Sequence, residues 1–294
     1  MTSPDLGRVG VWGHLDSLAA DAARSYARRV DELGYGTLWV PETVGREPFT
    51  LLGLLAAEMG RTWLGTSIVS IWGHDPQATR MAALTLSEAT GGRFVLGLGV
   101  SHPHLAAKLR GHAFERPMTR MREYLAAYRA AVWRGPPAEE PPVLVAALRE
   151  RMTDLAATDA DGAFPYLVTP ERVAWMRERL DAATDGGRPL LAVTLPVALD
   201  GGPEAGDAAR AYLKPYLRTP TYHASWELQG FEPADWELPG SDRLVEAMVA
   251  VGSADAARGR IDELLSAGAD HVAIIPLGPD GTTEHLPTVE ALAP

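Results

Sequence analysis

Eight short apolar segments, each followed by a helical pattern, recur along this chain and constrain its fold more than any other feature. They are residues 8–12, 37–40, 64–70, 94–99, 143–146, 162–164, 190–198 and 271–275. They are short and show no 3.6-residue period, so they read as strands buried on both faces. The intervening stretches carry helix signals. Residues 17–33 place Leu18, Ala22, Val30 and Leu33 on one stripe, and Gly34 ends the pattern. Asp75-Pro76 supplies an N-cap and a proline at the first helical position, and Thr169-Pro170 does the same further on. Strands and helices in this alternation build a parallel sheet, and eight strands close it into a (β/α)8 barrel. A doubly wound sheet is the alternative. It would want a G-x-G-x-x-G turn after the first strand, where this chain has Gly13-His14-Leu15-Asp16. The 294 residues suit one barrel domain over 1–294. Residues 200–240, rich in proline, tyrosine and tryptophan, read as an insertion near the seventh strand.

Composition narrows the function. The formal net charge is −11 and the pI about 5.2, so nucleic acid is not an expected partner. There are no cysteines, which excludes disulfides, thiolate metal sites and cysteine nucleophiles. No segment reaches the ~20 apolar residues of a membrane span. The first residues lack a signal-peptide pattern. A cytoplasmic enzyme acting on a small molecule is the expectation.

Chemistry in such barrels sits at the carboxyl ends of the strands. The first strand delivers His14 there and the second delivers Glu42. The third delivers Ser70, Trp72 and His74, and the fourth delivers Ser101, His102 and His104. The fourth segment, Gly92-Arg93-Phe94-Val95-Leu96-Gly97-Leu98-Gly99-Val100-Ser101-His102, is the most informative. Its glycines remove side chains where something bulky lies close to the backbone. Two chemistries could use this set. A metal centre could combine His102, His104, Glu42, His14 and His74. Pro103 separates the paired histidines, and Ile275-Pro276-Leu277 stands where such a site wants an aspartate. The other chemistry is a flat organic cofactor across the mouth, with Glu42 or His102 beside its reactive carbon.

The motifs themselves resemble a known family. GVWGHLDSL, ELGYGTLWVPE, LGTSIVSIWGHDP and GGRFVLGLGVSH fall at the first four strands, and MREYLAAYRAAVW, DGAFPYLVTPE and AGADHVAI follow. Together they are similar to the bacterial-luciferase-like superfamily, in the branch that uses the deazaflavin coenzyme F420. The resemblance implies a homodimeric barrel with the coenzyme ring against the third and fourth strands. By position it implies a non-prolyl cis peptide at Ser67-Ile68. Contacts to the coenzyme would then come from Glu42, Ser67, Ile68, Ser70, Gly99 and Ser101. The segment Ala147, Leu148 and Arg149 would meet its phosphate tail. His14, Trp72, His74 and Trp226 would meet the substrate.

Departures from the family pattern carry information. Similar alcohol and sugar-phosphate dehydrogenases place an acidic residue and a histidine after the second strand; here the pair is Glu42-Thr43. They place a glutamate after the fourth-strand glycines, where this chain has His102. Without that base, hydride donation by reduced coenzyme to an activated C=C or C=N bond is favoured over alcohol oxidation, with His102 as proton donor. Close relatives read AALGP after the fifth strand. This chain reads Ala146-Ala147-Leu148-Arg149-Glu150. An FMN-dependent monooxygenase, a metal-dependent hydrolase and a non-catalytic binding homologue are the other readings.

Overall fold

A computed structural model describes residues 4–103, 105–184, 187–199 and 203–294. Ten parallel strands follow in chain order: β1 Val9–Trp12, β2 Thr37–Val40, β3 Trp63–Thr66, β4 Val69–Ser70 and β5 Phe94–Gly99. Then come β6 Val143–Val145, β7 Gly162–Ala163, β8 Leu190–Leu199, β9 Ala250–Gly252 and β10 His271–Pro276. Each pairs with its neighbour, and β10 pairs with both β1 and β8, which closes the ring. β3 and β4 are two arms of one barrel strand, both against β5, and β9 only extends the end of β8, so the ring has eight staves. The (β/α)8 barrel read from the sequence is therefore the fold.

Two features modify the strands read from the hydrophobic pattern, the first of them expected from the family resemblance. The third strand, expected as continuous from 64 to 70, breaks between its arms at a cis Ser67-Ile68 peptide. A short extra strand, β9, adds to the end of β8 through the pairing of Val197 with Ala250. It has three residues, and the apolar run that enters it, residues 247–251, continues straight from the helix Asp242–Met248, so no break in the hydrophobic pattern announces it.

Local signals explain the helix boundaries. Asp75 Oδ1 accepts from the Ala78 amide at 3.0 Å and starts the helix Pro76–Thr90. That helix stops at Gly91, whose φ of 64° is the left-handed closing turn. The expected helix from 17 begins at Ala20 instead, because Leu15–Ser17 forms a 3-10 turn. Residues 203–248 hold the insertion: helices Pro203–Leu213, Pro220–Glu227 and Asp242–Met248 between β8 and β9.

The core has two parts. One lies between the helices and the outside of the barrel, around Leu38, Leu52, Leu64 and Val173. The other fills the barrel interior. Trp39 on β2 meets Phe164 just past β7 at 4.6 Å between ring centroids, across the lumen. That interior packing is continuous with the insertion through Tyr212, Leu213 and Trp226. The insertion is thus a cap on the interior column, and it sits where the strands end.

Candidate active site at the barrel mouth

The strand break builds the floor of the mouth. With Ser67-Ile68 cis, the Ile68 side chain lies over β5. A Cβ on Gly97 would sit 2.0 Å from the Thr66 carbonyl oxygen, and one on Gly99 would sit 2.5 Å from Ile68 Cδ1. The two glycines therefore exist for this bulge: one admits the Thr66 backbone, the other the Ile68 side chain. The Trp12 indole N–H donates to Ser67 at both its carbonyl (3.2 Å) and its hydroxyl (3.1 Å), tying β1 to the break. His14 stacks on Trp12 at 5.9 Å.

Glu42, two residues past β2, is the charged centre of this floor. Its side chain is 7% exposed. Oε2 accepts from the Ser70 amide at 2.6 Å, His74 Nε2 lies 3.3 Å from Oε1, and the Arg110 guanidinium pairs with the same oxygen. Burial pushes the Glu42 carboxyl upward. The His74 hydrogen bond, the Ser70 amide and the His74 and Arg110 charges outweigh it and leave the group below the ordinary glutamate value. Glu42 is therefore a fixed carboxylate that accepts hydrogen bonds, and not a proton donor near neutral pH.

The other strand ends are equally definite. Ser70 is buried, and its hydroxyl accepts from the Trp72 amide at 3.3 Å. Trp72 turns toward the loop after β5: its indole donates to the Val100 carbonyl at 2.8 Å, and its ring meets His112 and Phe114. Ser101 adopts φ 55°, a left-handed conformation that costs a non-glycine residue ~1–2 kcal/mol. It redirects the chain so that the His102 ring lies 5.5 Å from Tyr222 of the insertion. His104 lies outside the described residues. Among the described residues no group of three or more His, Asp or Glu side chains could hold a metal ion.

With this geometry in view, the matches to known proteins fall into place. The luciferase-like monooxygenase family matches residues 4–271. The chain belongs to that family. A Mycobacterium tuberculosis protein named as a coenzyme F420-dependent oxidoreductase is 34% identical over 148 residues, 49% of this chain and 40% of the relative. The chain thus spans less than half of that relative's length. Among solved structures, an F420-dependent secondary alcohol dehydrogenase holding an F420-acetone adduct superposes with a TM-score of 0.80. Its identity is 13%, over 97% of both chains. The oxygenating constituent of 3,6-diketocamphane monooxygenase from Pseudomonas putida, in complex with FMN, superposes at 0.74. Its identity is 17%, over 97% of this chain and 96% of that one. These two likenesses are likenesses of fold.

For a luciferase-like barrel, the placement of the sequence candidates is uneven. Glu42, Ser67, Ile68, Ser70, Gly99, Ser101 and His102 come together at the mouth, with His14 and His74 on its floor. Trp226 does not face it. Its ring is fully buried behind Tyr222, 5.9 Å away, and packs against Trp236. Ala147 is buried beneath the segment after β6, while Arg149 is exposed and occupies the N-cap position of the helix Glu150–Asp159. Glu150 turns away to pair with Arg179 at 2.7 Å.

Three site residues escaped the sequence reading. Arg110 sits in an aperiodic stretch, so nothing in the pattern tied it to Glu42. Tyr166 lies three residues past β7; extending the strand-end rule to the sixth strand would have found it. Arg172 opens the helix Pro170–Ala182, is 7% exposed, and donates to the Leu148 carbonyl at 2.8 Å. Its guanidinium stacks 3.7 Å from the Trp175 ring centroid. No carboxylate pairs with it among the described residues, and its Nε has no hydrogen-bond partner.

Proposed function

We propose that this protein is an oxidoreductase using reduced coenzyme F420 to deliver a hydride to an activated C=C or C=N bond of a small organic substrate. The observation that carries the reading is the floor of the mouth, where the Thr66 backbone lies over Gly97 and the Ile68 side chain over Gly99. It supports a flat ring against the third and fourth barrel strands. The family membership and the F420-dependent relative point the same way.

The residues present fit such a coenzyme. Arg172 is a buried cation without a carboxylate partner beside Leu148, and Arg149 stands exposed next to it. A buried cation in that state is offset best by a bound anion. This compensates for the glycine backbone that close relatives carry there and that this chain lacks. Ser67, Ile68, Ser70 and Gly99 would hold the ring, and Leu148, Arg149 and Arg172 the phosphate.

When bound and reduced, the coenzyme supplies a hydride. The chain's own residues do the rest. Glu42, held by Ser70, His74 and Arg110, keeps a negative charge at the floor and orients whatever donates to it. His102, past the end of β5, supplies a proton to the atom away from the hydride. The insertion excludes water. The reading is tested by following the return of the violet absorbance of oxidised coenzyme F420 when enones or imines are added to the protein with reduced coenzyme. Oxygen-dependent turnover with reduced FMN, and none with reduced F420, would contradict it.

A further inference from the structure

One hydroxyl on the third barrel strand keeps a hydrogen to give. Residues 64–70 carry three hydroxyls. Thr66 Oγ1 donates to the Gly97 carbonyl at 2.9 Å and accepts from the Gly97 amide at 2.8 Å, so it is fully used. The Ser70 hydroxyl accepts from the Trp72 amide, and Ser70 is only 4% exposed, out of a ligand's reach. Ser67 differs from both. Its Oγ accepts from the Trp12 indole N–H at 3.1 Å, and no acceptor among the described residues takes its own hydrogen. An indole nitrogen only donates, so a lone pair of Oγ faces Trp12 and the hydroxyl hydrogen turns elsewhere.

Ser67 also faces open space. β2 pairs along one edge of this strand and β5 along the other, and the helix Pro48–Ala56 packs outside it. Of residues 64–70 only Ser67 and Ile68 are not buried. With the edges and the outer side covered, the solvent that reaches them enters through the mouth.

Trp12 is placed to hold the hydroxyl in this state. Its residue is 5% exposed, its ring stacks on His14 at 5.9 Å with 16° between the planes, and Tyr166 packs against it at 6.3 Å. A ring wedged in this way cannot turn its N–H aside. That N–H meets the Ser67 carbonyl as well as the hydroxyl, so backbone and side chain are fixed together. A phenylalanine would bury apolar surface at the same place with no N–H to satisfy.

We propose that Trp12 is a positioning residue for the coenzyme: its indole fixes the Ser67 hydroxyl as a hydrogen-bond donor to a carbonyl oxygen of the flat ring. This rests on the reductase reading and deepens it. Trp12 acts through Ser67, and Ser67 gives its free hydrogen to the ring where Ile68 lies over Gly99. The site then favours a ring that presents an acceptor at this point.

Fluorescence titration with oxidised coenzyme F420 tests it on the unmodified protein, Ser67→Ala, Trp12→Phe and the double variant. Ser67→Ala weakens binding about tenfold, the loss of one hydrogen bond. Trp12→Phe weakens it in the same direction and adds nothing in the Ser67→Ala background, because it acts through that hydroxyl. Difference infrared spectra of the complexes give a second reading, which a loss of packing alone does not move. The ring carbonyl stretch of the bound coenzyme rises in frequency in both single variants as its hydrogen bond is lost. If Trp12→Phe does not fold, benzothienylalanine at position 12, with the shape of indole and no N–H, carries the test. Additive losses, or a carbonyl stretch unmoved by either substitution, overturn the role of Trp12 and leave the reductase reading standing. No saturable F420 binding by the unmodified protein overturns that reading and the proposal with it.

Discussion

His271 gives the stability of this barrel a calculable dependence on pH. It opens β10, is 1% exposed, and points into the closed end of the interior. The Trp39 indole donates to Nε2 at 2.9 Å, and Nδ1 lies 2.7 Å from the Gly7 carbonyl oxygen. An indole nitrogen is only a donor, so Nε2 must be the lone-pair nitrogen and Nδ1 carries the hydrogen. Protonation would set an Nε2–H against the indole N–H. Burial first, partly opposed by the Gly7 hydrogen bond, lowers this histidine to about 4. The sign follows from linkage: the unfolded chain, with a histidine near 6.5, binds the proton more readily than the folded one. Stability from this residue is full above pH 6.5, falls as the pH drops toward 4, and levels off below it. Two and a half pH units correspond to about 3.4 kcal/mol, of which about 2.5 kcal/mol is lost by pH 4.5. Urea unfolding of the protein and of His271→Gln at pH 7.5, 5.5 and 4.5 measures it. The unmodified protein should lose about 2.5 kcal/mol more than the variant across that range. Parallel losses in the two proteins would rule out His271 as the source of the pH dependence.

Other substitutions probe the mouth. Gly97→Ala meets the Thr66 backbone at 2.0 Å and should prevent stable folding, seen as loss of the cooperative melt. Gly99→Val displaces Ile68 instead; circular dichroism should show a retained fold with overpacking of about 1–3 kcal/mol, while coenzyme binding is lost. Glu42→Gln removes the partner of Arg110, and hydrogen exchange should report faster opening of residues 105–112; unchanged protection there would count against the ion pair as the tie of that loop. His102→Ala should lower turnover about 10²–10⁴-fold with coenzyme affinity unchanged. An equal loss in His104→Ala, restored by added zinc, would point to a metal enzyme instead.

The barrel was legible because its signals are local. Short apolar runs, Asp75-Pro76 and Thr169-Pro170 each act within a few residues, and each of the eight strands lies where its run predicts. The break at Ser67-Ile68 was legible only through family resemblance, since nothing in Leu64–Ser70 departs from an ordinary strand pattern. The glycines of β5 could be read as making room, but not for what; only the fold brings the Thr66 carbonyl and the Ile68 side chain over them. Side-chain partnerships across long separations were beyond the sequence. Glu42 and Arg110 are 68 residues apart, and Tyr166 and Tyr216 are 50 apart. No periodicity links such positions. Trp226 shows the converse: an aromatic in an insertion reads as a surface waiting for substrate, yet its ring serves the packing that holds Tyr222 in place.

If the mouth is built for a deazaflavin, as proposed, coenzyme F420 binds it in preference to FMN. Fluorescence titration of the protein with coenzyme F420 and, under the same conditions, with FMN tests it most directly. Saturable F420 binding at least tenfold tighter than that of FMN is expected, and it is weakened in Arg172→Ala, which removes the buried cation beside Leu148. FMN binding as tight as or tighter than F420, or F420 affinity unchanged by Arg172→Ala, would contradict it.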